Sequence, residues 1–261
     1  MTHITSPDGT RIHVVVEGPE GAPAILFAHS IGCDLHLWDA QAEALRARCR
    51  VIRYDARGHG LSHAPAGDYR IEQLAADALA ILDALDVERA HLCGLSLGGT
   101  LGQWLALHAP ERLLSLTLAD TAARLGTAEG WQTRGDAARA GGTASIADMS
   151  VTRFFSDRFR QSEPAIVERF RQGLIATADQ GFAGCCAVLR DGDFTADLGA
   201  IAVPTLVICG KDDVPTPPGD SEILAQGIAG ARLALLDAGH LSSVEAPRAF
   251  TAALERHILS A

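Results

Sequence analysis

Residues 89–108 read RAHLCGLSLGGTLGQWLALH, and this segment decides the fold. A β-rich run leads into Gly-x-Ser-x-Gly, formed by Gly94, Ser96 and Gly98, and helix-forming residues follow directly. In that context the motif is typical of a strained strand-to-helix turn that presents a nucleophilic serine, with glycines where side chains would clash. A phosphate loop would need Gly-Lys-Ser/Thr and a dinucleotide loop Gly-x-Gly-x-x-Gly, and neither pattern occurs here. We therefore predict that Ser96 is a catalytic nucleophile.

Short β-rich runs alternate with longer helical patterns on both sides of this segment. The strand-like runs are 11–16, 24–28, 50–54, 89–93, 113–119, 203–209 and 231–236. Apolar side chains recur at helical spacing in 71–85, 100–108 and 244–258. The alternation predicts an α/β fold whose central sheet is mostly parallel after its first hairpin and is flanked by helices.

Residues 120–200 interrupt this alternation with helical segments and no clear strand. The helical patterns are 127–140, 144–155, 164–178 and 182–190, and Pro164 is placed like a first-turn proline. We therefore expect a core domain made of residues 1–119 and 201–261. Residues 120–200 are predicted to form a helical cap inserted between two strands of its sheet.

A serine hydroxyl becomes a good nucleophile only when a base takes its proton. His240 is the best candidate for that base, because it lies in a short loop after the last predicted strand. The expected chain order is serine, acid, histidine, and Asp213 matches it as the triad acid. Asp212, its neighbour, and Asp120, at the end of the strand 113–119, remain alternatives.

An oxyanion hole needs two backbone N–H groups directed at the developing charge. Leu97, directly after the nucleophile, should supply one, and Ile31, in the loop after the second predicted strand, should supply the other. The segment 54–62 is predicted to be a structural turn that supports this loop, with Asp55 and Arg57 paired locally.

Composition excludes several other classes of function. The chain has 261 residues and a formal net charge of -10, which disfavours nucleic-acid binding. No apolar stretch approaches the roughly 20 residues of a membrane-spanning helix, and the first residues do not resemble a secretion signal. The six cysteines lack CxxC spacing, so we expect free buried thiols in a cytoplasmic protein. His59 and His63 lack acidic or cysteine partners, so no metal site is predicted.

Longer segments carry a more specific resemblance than the serine motif. They are HSIGCDLHLWDAQ (29–41), RYDARGHGLS (53–62), ERAHLCGLSLGGTLGQWLALHAPERL (88–113), DTAARLGTAEGWQTR (120–134), GKDDVPTPP (210–218) and DAGHLSSVEAP (237–247). From about residue 8 to 258 the chain resembles the 3-oxoadipate enol-lactonases, which are serine hydrolases of the α/β-hydrolase superfamily. Leu97 stands where methionine is common in that family, and the match is looser from about 140 to 180.

The resemblance implies hydrolysis of a small anionic lactone, 3-oxoadipate enol-lactone, to 3-oxoadipate without a cofactor, as a step of bacterial aromatic catabolism by the β-ketoadipate pathway. The carboxylate arm of that substrate needs a partner in the cap. Trp131 and Arg134 are candidates, because residues three apart share one helix face and would offer an apolar wall and a guanidinium fork. An ordinary cap helix with a solvated arginine is the alternative.

Two other functions fit the same motifs. One is a broad carboxylesterase or cofactor-free perhydrolase, because fold and triad do not determine the substrate. The other is a hydrolase-like binding protein without catalysis, which would not need to keep every member of a triad. The oligomeric state is not predicted by any pattern in the sequence.

Overall fold

A central sheet of eight strands organises residues 2–260, the part of the chain described by the computed structural model. The strands are β1 (Thr2–Thr5), β2 (Arg11–Glu17), β3 (Ala24–Ala28), β4 (Arg50–Tyr54), β5 (Ala90–Leu95), β6 (Leu113–Ala119), β7 (Thr205–Gly210) and β8 (Arg232–Leu236). Their order across the sheet is β1-β2-β4-β3-β5-β6-β7-β8. The pairs β1–β2 and β2–β4 are antiparallel, and the pairings from β4 to β8 are parallel. The predicted α/β fold with a mostly parallel sheet is confirmed.

Each predicted strand is present, with ends that differ by at most two residues. The first strand, Thr2–Thr5, was not expected from the sequence. Three of its four residues are exposed and none is buried, so it lacks the apolar alternation that reveals a half-buried strand. Backbone pairing with β2 at the edge of the sheet defines it instead.

Helices cover both faces of the sheet and fill the interval between β6 and β7. They are α1 (Asp39–Leu45), α2 (Ile71–Ala84), α3 (Leu97–His108), α4 (Ala128–Gly141), α5 (Ala147–Phe154), α6 (Asp157–Ser162), α7 (Pro164–Ala176), α8 (Asp179–Asp191), α9 (Pro218–Gly227), α10 (Ser242–Glu245) and α11 (Pro247–Ile258). In residues 2–260 none of them is long and apolar enough to cross a membrane.

Two helical predictions need correction, and the helices α1, α6 and α9 were not predicted. The segment 144–155 divides into a 3-10 turn, Thr143–Ile146, followed by α5. The short helix α6 was missed, although Ser156 caps it by accepting a hydrogen bond from the Phe159 N–H. The single helix expected over 244–258 is divided between α10 and α11, because Pro247 disfavours helical backbone at the residue before it.

Strand β3 shows how the core forms on both faces of the sheet. All five of its residues are buried. Ile25 and Phe27 pack into one apolar cluster with Trp38, whereas Leu26 packs into the cluster on the other face with Leu92. Complete burial of each such side chain contributes about 1.5–3 kcal/mol. All six cysteines are buried free thiols, as predicted.

Helix α8 lies against the loop that follows β4. A Cβ atom added to Gly181 of α8 would stand 2.3 Å from the Cα of Gly58, so only glycine permits this approach. Gly58 also has a φ of +81°, which favours glycine by itself. Nearby, the Tyr69 N–H donates to the Gly184 carbonyl at 3.1 Å. Backbone contact therefore fixes α8 on the strand-bearing part of the fold.

Candidate active site

Ser96 occupies a sharp turn between β5 and α3. Its φ of 56° and ψ of -108° are unusual for a residue with a side chain, and such strain costs on the order of 1–3 kcal/mol. A Cβ atom on Gly94 would lie 2.1 Å from the Gly98 carbonyl oxygen, and one on Gly98 would lie 2.1 Å from the Ala28 carbonyl oxygen. The two glycines therefore allow strand and helix to meet tightly enough to present the serine.

His240 and Asp213 form a buried hydrogen-bonded pair at the ends of β8 and β7. His240 Nδ1 lies 2.9 Å from Asp213 Oδ2 and 3.0 Å from Oδ1. The Thr216 N–H and hydroxyl also donate to this carboxylate, both at 2.9 Å. Because Nδ1 faces the acid, Nε2 is the ring nitrogen left to exchange a proton with another group. His240 and Ser96 line the same cavity, so the structure brings these two side chains together.

The two alternative acids lie elsewhere. Asp212 is exposed, beside Asp213. Asp120 is fully buried and accepts hydrogen bonds from the Gly210 N–H at 2.9 Å and from the backbone and hydroxyl of Ser242. Burial, and secondarily the nearby charge of Asp213, raises the pKa of Asp120 well above its usual range. Asp120 thus ties the end of β7 to the helix after the histidine loop, and Asp213 is the acid that contacts the imidazole.

Two backbone N–H groups are available for an oxyanion. Leu97 is the first residue of α3, and the first N–H groups of a helix have no partner within it. Ile31 lies in the loop after β3 and lines the cavity with Ser96. Within residues 2–260 neither N–H donates to another protein group. The geometry therefore supports the predicted pair of donors.

Two buried histidines hold the loop that carries Ile31. The Gly32 N–H donates to His59 Nε2 at 3.0 Å, and the Ala56 N–H donates to His29 Nε2 at 2.9 Å. A ring nitrogen that accepts must be unprotonated. Burial, followed by the proximity of His29, lowers the pKa of His59 to about 3, so that ring is neutral at physiological pH.

The segment 54–62 supports the Ile31 loop as predicted, but its internal pairing was predicted wrongly. Asp55 and Arg57 do not bond to each other. Asp55 accepts from His13 Nδ1 at 2.8 Å, and the Arg57 guanidinium donates to both oxygens of Asp77 at 2.7 Å. These partners stand 42 and 20 residues away along the chain, so local sequence carried no signal for them.

A cavity of about 260 Å³ lies between the sheet and the helices α4 and α5. Its two walls include Ser96, Ile31 and His240 from the strand ends, and Trp131, Arg134 and Arg153 from the helices. A serine hydroxyl, an imidazole and two guanidinium groups therefore line one cavity.

Trp131 and Arg134 share one face of α4, as their spacing predicted. The guanidinium carbon of Arg134 lies 4.6 Å from the centre of the Trp131 ring. Trp131 is fixed in turn because its indole N–H donates to the Leu125 carbonyl at 2.6 Å. Burial, and then the charge of Arg153, lowers the pKa of Arg134 from its ordinary value.

Arg153 and Phe154 of α5 were missed by the sequence analysis. Phe154 stacks on the His240 ring, with 6.1 Å between ring centres and 22° between planes. Arg153 lines the cavity beside it. The helical spacing of Ser150, Arg153 and Phe154 places them on one face, but other arginines of residues 120–200 have comparable apolar neighbours.

Asp213 and two buried neighbours are close enough to one another to share a cation. Asp120, Cys209 and Asp213 each place one ligand atom within 4.8 Å of the others. Both carboxylates already accept hydrogen bonds, Asp213 from His240 among them. Burial raises the pKa of Cys209 to about 12, so its sulfur is a thiol in this network. These contacts favour a hydrogen-bonded network over a metal centre.

Comparison with known proteins places this geometry in a family. Residues 23–247 match the family described as alpha/beta hydrolase fold. The 3-oxoadipate enol-lactonase 2 of Acinetobacter baylyi is 41% identical over 238 residues, covering 91% of this chain and 89% of the relative. The crystal structure of the enol-lactonase from Burkholderia xenovorans LB400 has a TM-score of 0.96 and 38% identity, with 100% of both chains covered. A hydrolase from Pseudomonas aeruginosa PA01 has a TM-score of 0.96 and 44% identity, covering 100% of this chain and 98% of that one. The chain is therefore an enzyme of the α/β-hydrolase fold that acts on ester bonds, and it belongs to the family of the 3-oxoadipate enol-lactonases.

Proposed function

We propose that this enzyme hydrolyses 3-oxoadipate enol-lactone to 3-oxoadipate through a triad of Ser96, His240 and Asp213 and an acyl-enzyme intermediate. One observation carries the proposal: a single cavity is bounded by Ser96 and His240 on one wall and by Arg134 on the other. A lactone carbonyl and a carboxylate arm can therefore be held at the same time. Two 3-oxoadipate enol-lactonases from Acinetobacter baylyi, 41% and 39% identical to the chain, support the same substrate.

Acylation begins when His240 Nε2 takes the proton of the Ser96 hydroxyl. The oxygen attacks the lactone carbonyl, and the backbone N–H groups of Leu97 and Ile31 stabilise the oxyanion. Asp213 keeps the Nδ1 proton of His240 in place and stabilises the imidazolium that forms.

Ring opening follows as the bond between the carbonyl carbon and the ring oxygen breaks. The leaving group is an enolate, which the imidazolium protonates and which then becomes a ketone. This leaving group is more stable than an alkoxide, and formation of the ketone makes ring opening effectively irreversible. The acyl group remains bound to Ser96 and carries the ketone and the carboxylate arm.

Deacylation uses the same groups, with water in the place of the Ser96 hydroxyl as nucleophile. His240 removes a proton from water, the hydroxide attacks the acyl carbon, and the bond to Ser96 oxygen breaks as that oxygen regains its proton. One lactone and one water thus give 3-oxoadipate. No step requires a group beyond the protein side chains and water.

The cap wall supplies substrate recognition in this proposal. Arg134 would bind the carboxylate arm, and Trp131 would form the apolar surface beside it. We propose the division into a core of residues 1–119 and 201–261 and a cap of residues 120–200, since α4 to α8 all lie between the adjacent strands β6 and β7. A cytoplasmic location, a small anionic lactone as the substrate, and the absence of nucleic-acid or membrane binding stay predictions.

The decisive test follows loss of enol-lactone absorbance with the wild-type enzyme and with Ser96→Ala. We expect loss of nearly all activity in the variant, on the order of 10⁶-fold in kcat for removal of a triad nucleophile. An equal rate in both enzymes would reject the mechanism. A fluorophosphonate probe should label the wild type at Ser96 and leave the variant unlabelled, whereas a protein that only binds would remain unlabelled in both forms.

The substrate is tested separately from the triad. Rates on enol-lactone and on neutral p-nitrophenyl esters distinguish a lactonase with an anion site from a broad carboxylesterase or perhydrolase. We expect a preference for the lactone in kcat/KM. Equal or faster turnover of the neutral esters would support the broad esterase instead.

A further inference from the structure

The cavity has a second cation that faces it from a different helix. Arg153 lies on α5 with Ser150 and Phe154, and all three line the cavity. Residues at this spacing share a helix face. Since the Phe154 ring stacks on His240, the same face of α5 reaches both the imidazole and the space where substrate would lie.

The charges around this cavity are unbalanced. Within residues 2–260 no aspartate or glutamate lines it, although the chain has 32 acidic and 22 basic residues. Neither Arg134 nor Arg153 forms an ion pair with any described residue, whereas Arg139 pairs with Asp68 and Arg171 pairs with Asp148. The two cavity arginines therefore differ from these surface arginines of the helical region.

The two cations also influence each other. Burial is the main cause that lowers the pKa of Arg134, and the positive charge of Arg153 is the next. Like charges held together in a partly dry space, without a counterion from the protein, are stabilised when an anion binds between them. A carboxylate suits that position, because its two oxygens can accept hydrogen bonds from more than one guanidinium.

On the basis of the function proposed above, we propose that Arg153 and Arg134 form one anion subsite from two helices, and that Arg153 makes the enzyme selective for esters and lactones bearing a terminal carboxylate. Trp131 holds Arg134 by stacking on its guanidinium. Arg153 supplies the second charge from α5, so that a guanidinium group binds the substrate carboxylate on each side. This role concerns selectivity and binding and leaves the bond-making steps to Ser96 and His240.

The test compares two esters that differ in charge and share a leaving group: mono-p-nitrophenyl glutarate and p-nitrophenyl pentanoate. Arg153→Met removes the charge and keeps most of the side-chain volume, and Arg153→Lys keeps the charge but removes the fork. Arg171→Met is the matched control, because it removes a paired arginine outside the cavity lining. Melting curves of all variants establish that they are folded.

We expect Arg153→Met to lower kcat/KM on the glutarate ester by about tenfold or more, mainly through KM, and to change the pentanoate ester by less than about twofold. Arg153→Lys should recover part of the loss, and Arg171→Met should match the wild type on both esters. Equal losses of Arg153→Met on the two esters, or no loss on the anionic one, would overturn the proposal.

A binding measurement removes the dependence on catalysis. Calorimetry of glutarate binding to Ser96→Ala, with and without Arg153→Met, should give a Kd at least about tenfold weaker in the double variant. An unchanged Kd would overturn the subsite.

If charge selectivity depends on Arg153 but enol-lactone is not hydrolysed, the subsite stands and the proposed function fails. If Arg153→Met hydrolyses enol-lactone with wild-type kcat/KM, the function stands and the subsite fails.

Discussion

The two walls of the cavity hold their side chains in different ways. The core wall, comprising Ser96, Ile31 and His240, lies at the ends of strands and in loops bonded to the sheet. The cap wall, comprising Arg134 and Arg153 with their neighbours, lies on the helices α4 and α5. Backbone geometry therefore fixes the groups proposed for chemistry, and helix faces fix those proposed for recognition. Substitutions in the core wall should act on kcat, and those in the cap wall on KM.

Apart from Ser96→Ala, the largest expected effect comes from the acid that supports the core wall. Asp213→Asn should lower kcat on the order of 10⁴-fold, because an amide at this position favours the wrong tautomer of His240. Steady-state kinetics on enol-lactone measure it.

Asp120→Asn is the matched variant, because Asp120 is also buried near the histidine loop but does not contact the imidazole. We expect a loss of about tenfold or less, the scale of one perturbed hydrogen bond. Losses of similar size in the two variants would mean that both carboxylates act on His240.

The next effect concerns stability of the core wall in acid. The pKa of His59 is about 3 in the folded chain and about 6.5 in the unfolded one. Between these pH values His59 is protonated in the unfolded chain and neutral in the folded chain. The free energy of unfolding that is present above pH 6.5 is therefore lost as the pH falls toward 3. The loss should reach a few kcal/mol in the free energy of unfolding. His91, whose pKa burial lowers to about 4, contributes in the same direction.

Urea unfolding at several pH values measures this loss. His59→Gln keeps an acceptor for the Gly32 N–H and removes the titration, so its stability should fall less steeply with decreasing pH. If the variant and the wild type show the same pH dependence, His59 is not the group responsible.

A smaller effect is expected in the cap wall. Arg134→Ala should raise KM for enol-lactone and lower kcat/KM by about 10- to 100-fold, the scale of one charged hydrogen bond. A neutral p-nitrophenyl ester provides the comparison and should be affected much less. Unchanged kinetics on the lactone would show that Arg134 does not bind substrate. The proposed difference in function between the two walls would then also be wrong.

The smallest effect should come from Leu97→Met in the core wall. The proposed contribution of position 97 is its backbone N–H at the start of α3, which this substitution leaves in place. We expect kcat within about twofold of the wild type by steady-state kinetics. A much larger fall would show that the Leu97 side chain shapes the site.

The sequence predicted the core wall better than the cap wall, and the reason is physical. Ser96, Asp213 and His240 each follow a predicted strand, and parallel strands bring their carboxyl ends to one edge of the sheet. The contacts of Asp213 with His240 could therefore be expected from chain order alone. Arg153 could not, because its access to the cavity depends on how α5 packs, and no local spacing encodes that packing.

The same distinction explains the errors elsewhere. Strand β1 has no buried face, so its pairing with β2 leaves no apolar pattern to read. Arg57 is buried against Asp77, a partner from α2 that only the folded chain brings near. In contrast, the division between α10 and α11 could have been predicted from the sequence, because Pro247 disfavours helical backbone at the residue before it.

The close approach of Gly58 and Gly181 has a consequence for engineering. Any side chain at either position would push α8 away from the loop beneath it, so this contact tolerates essentially no variation. Within residues 2–260, α4 carries Arg134 and has no such backbone junction with the sheet. Helix α5, which carries Arg153, is joined to the histidine loop, because the Leu241 N–H donates to the Phe154 carbonyl at 3.0 Å. Directed evolution toward other acids or lactones should therefore randomise positions on α4 first and leave the contact between α8 and Gly58 unchanged.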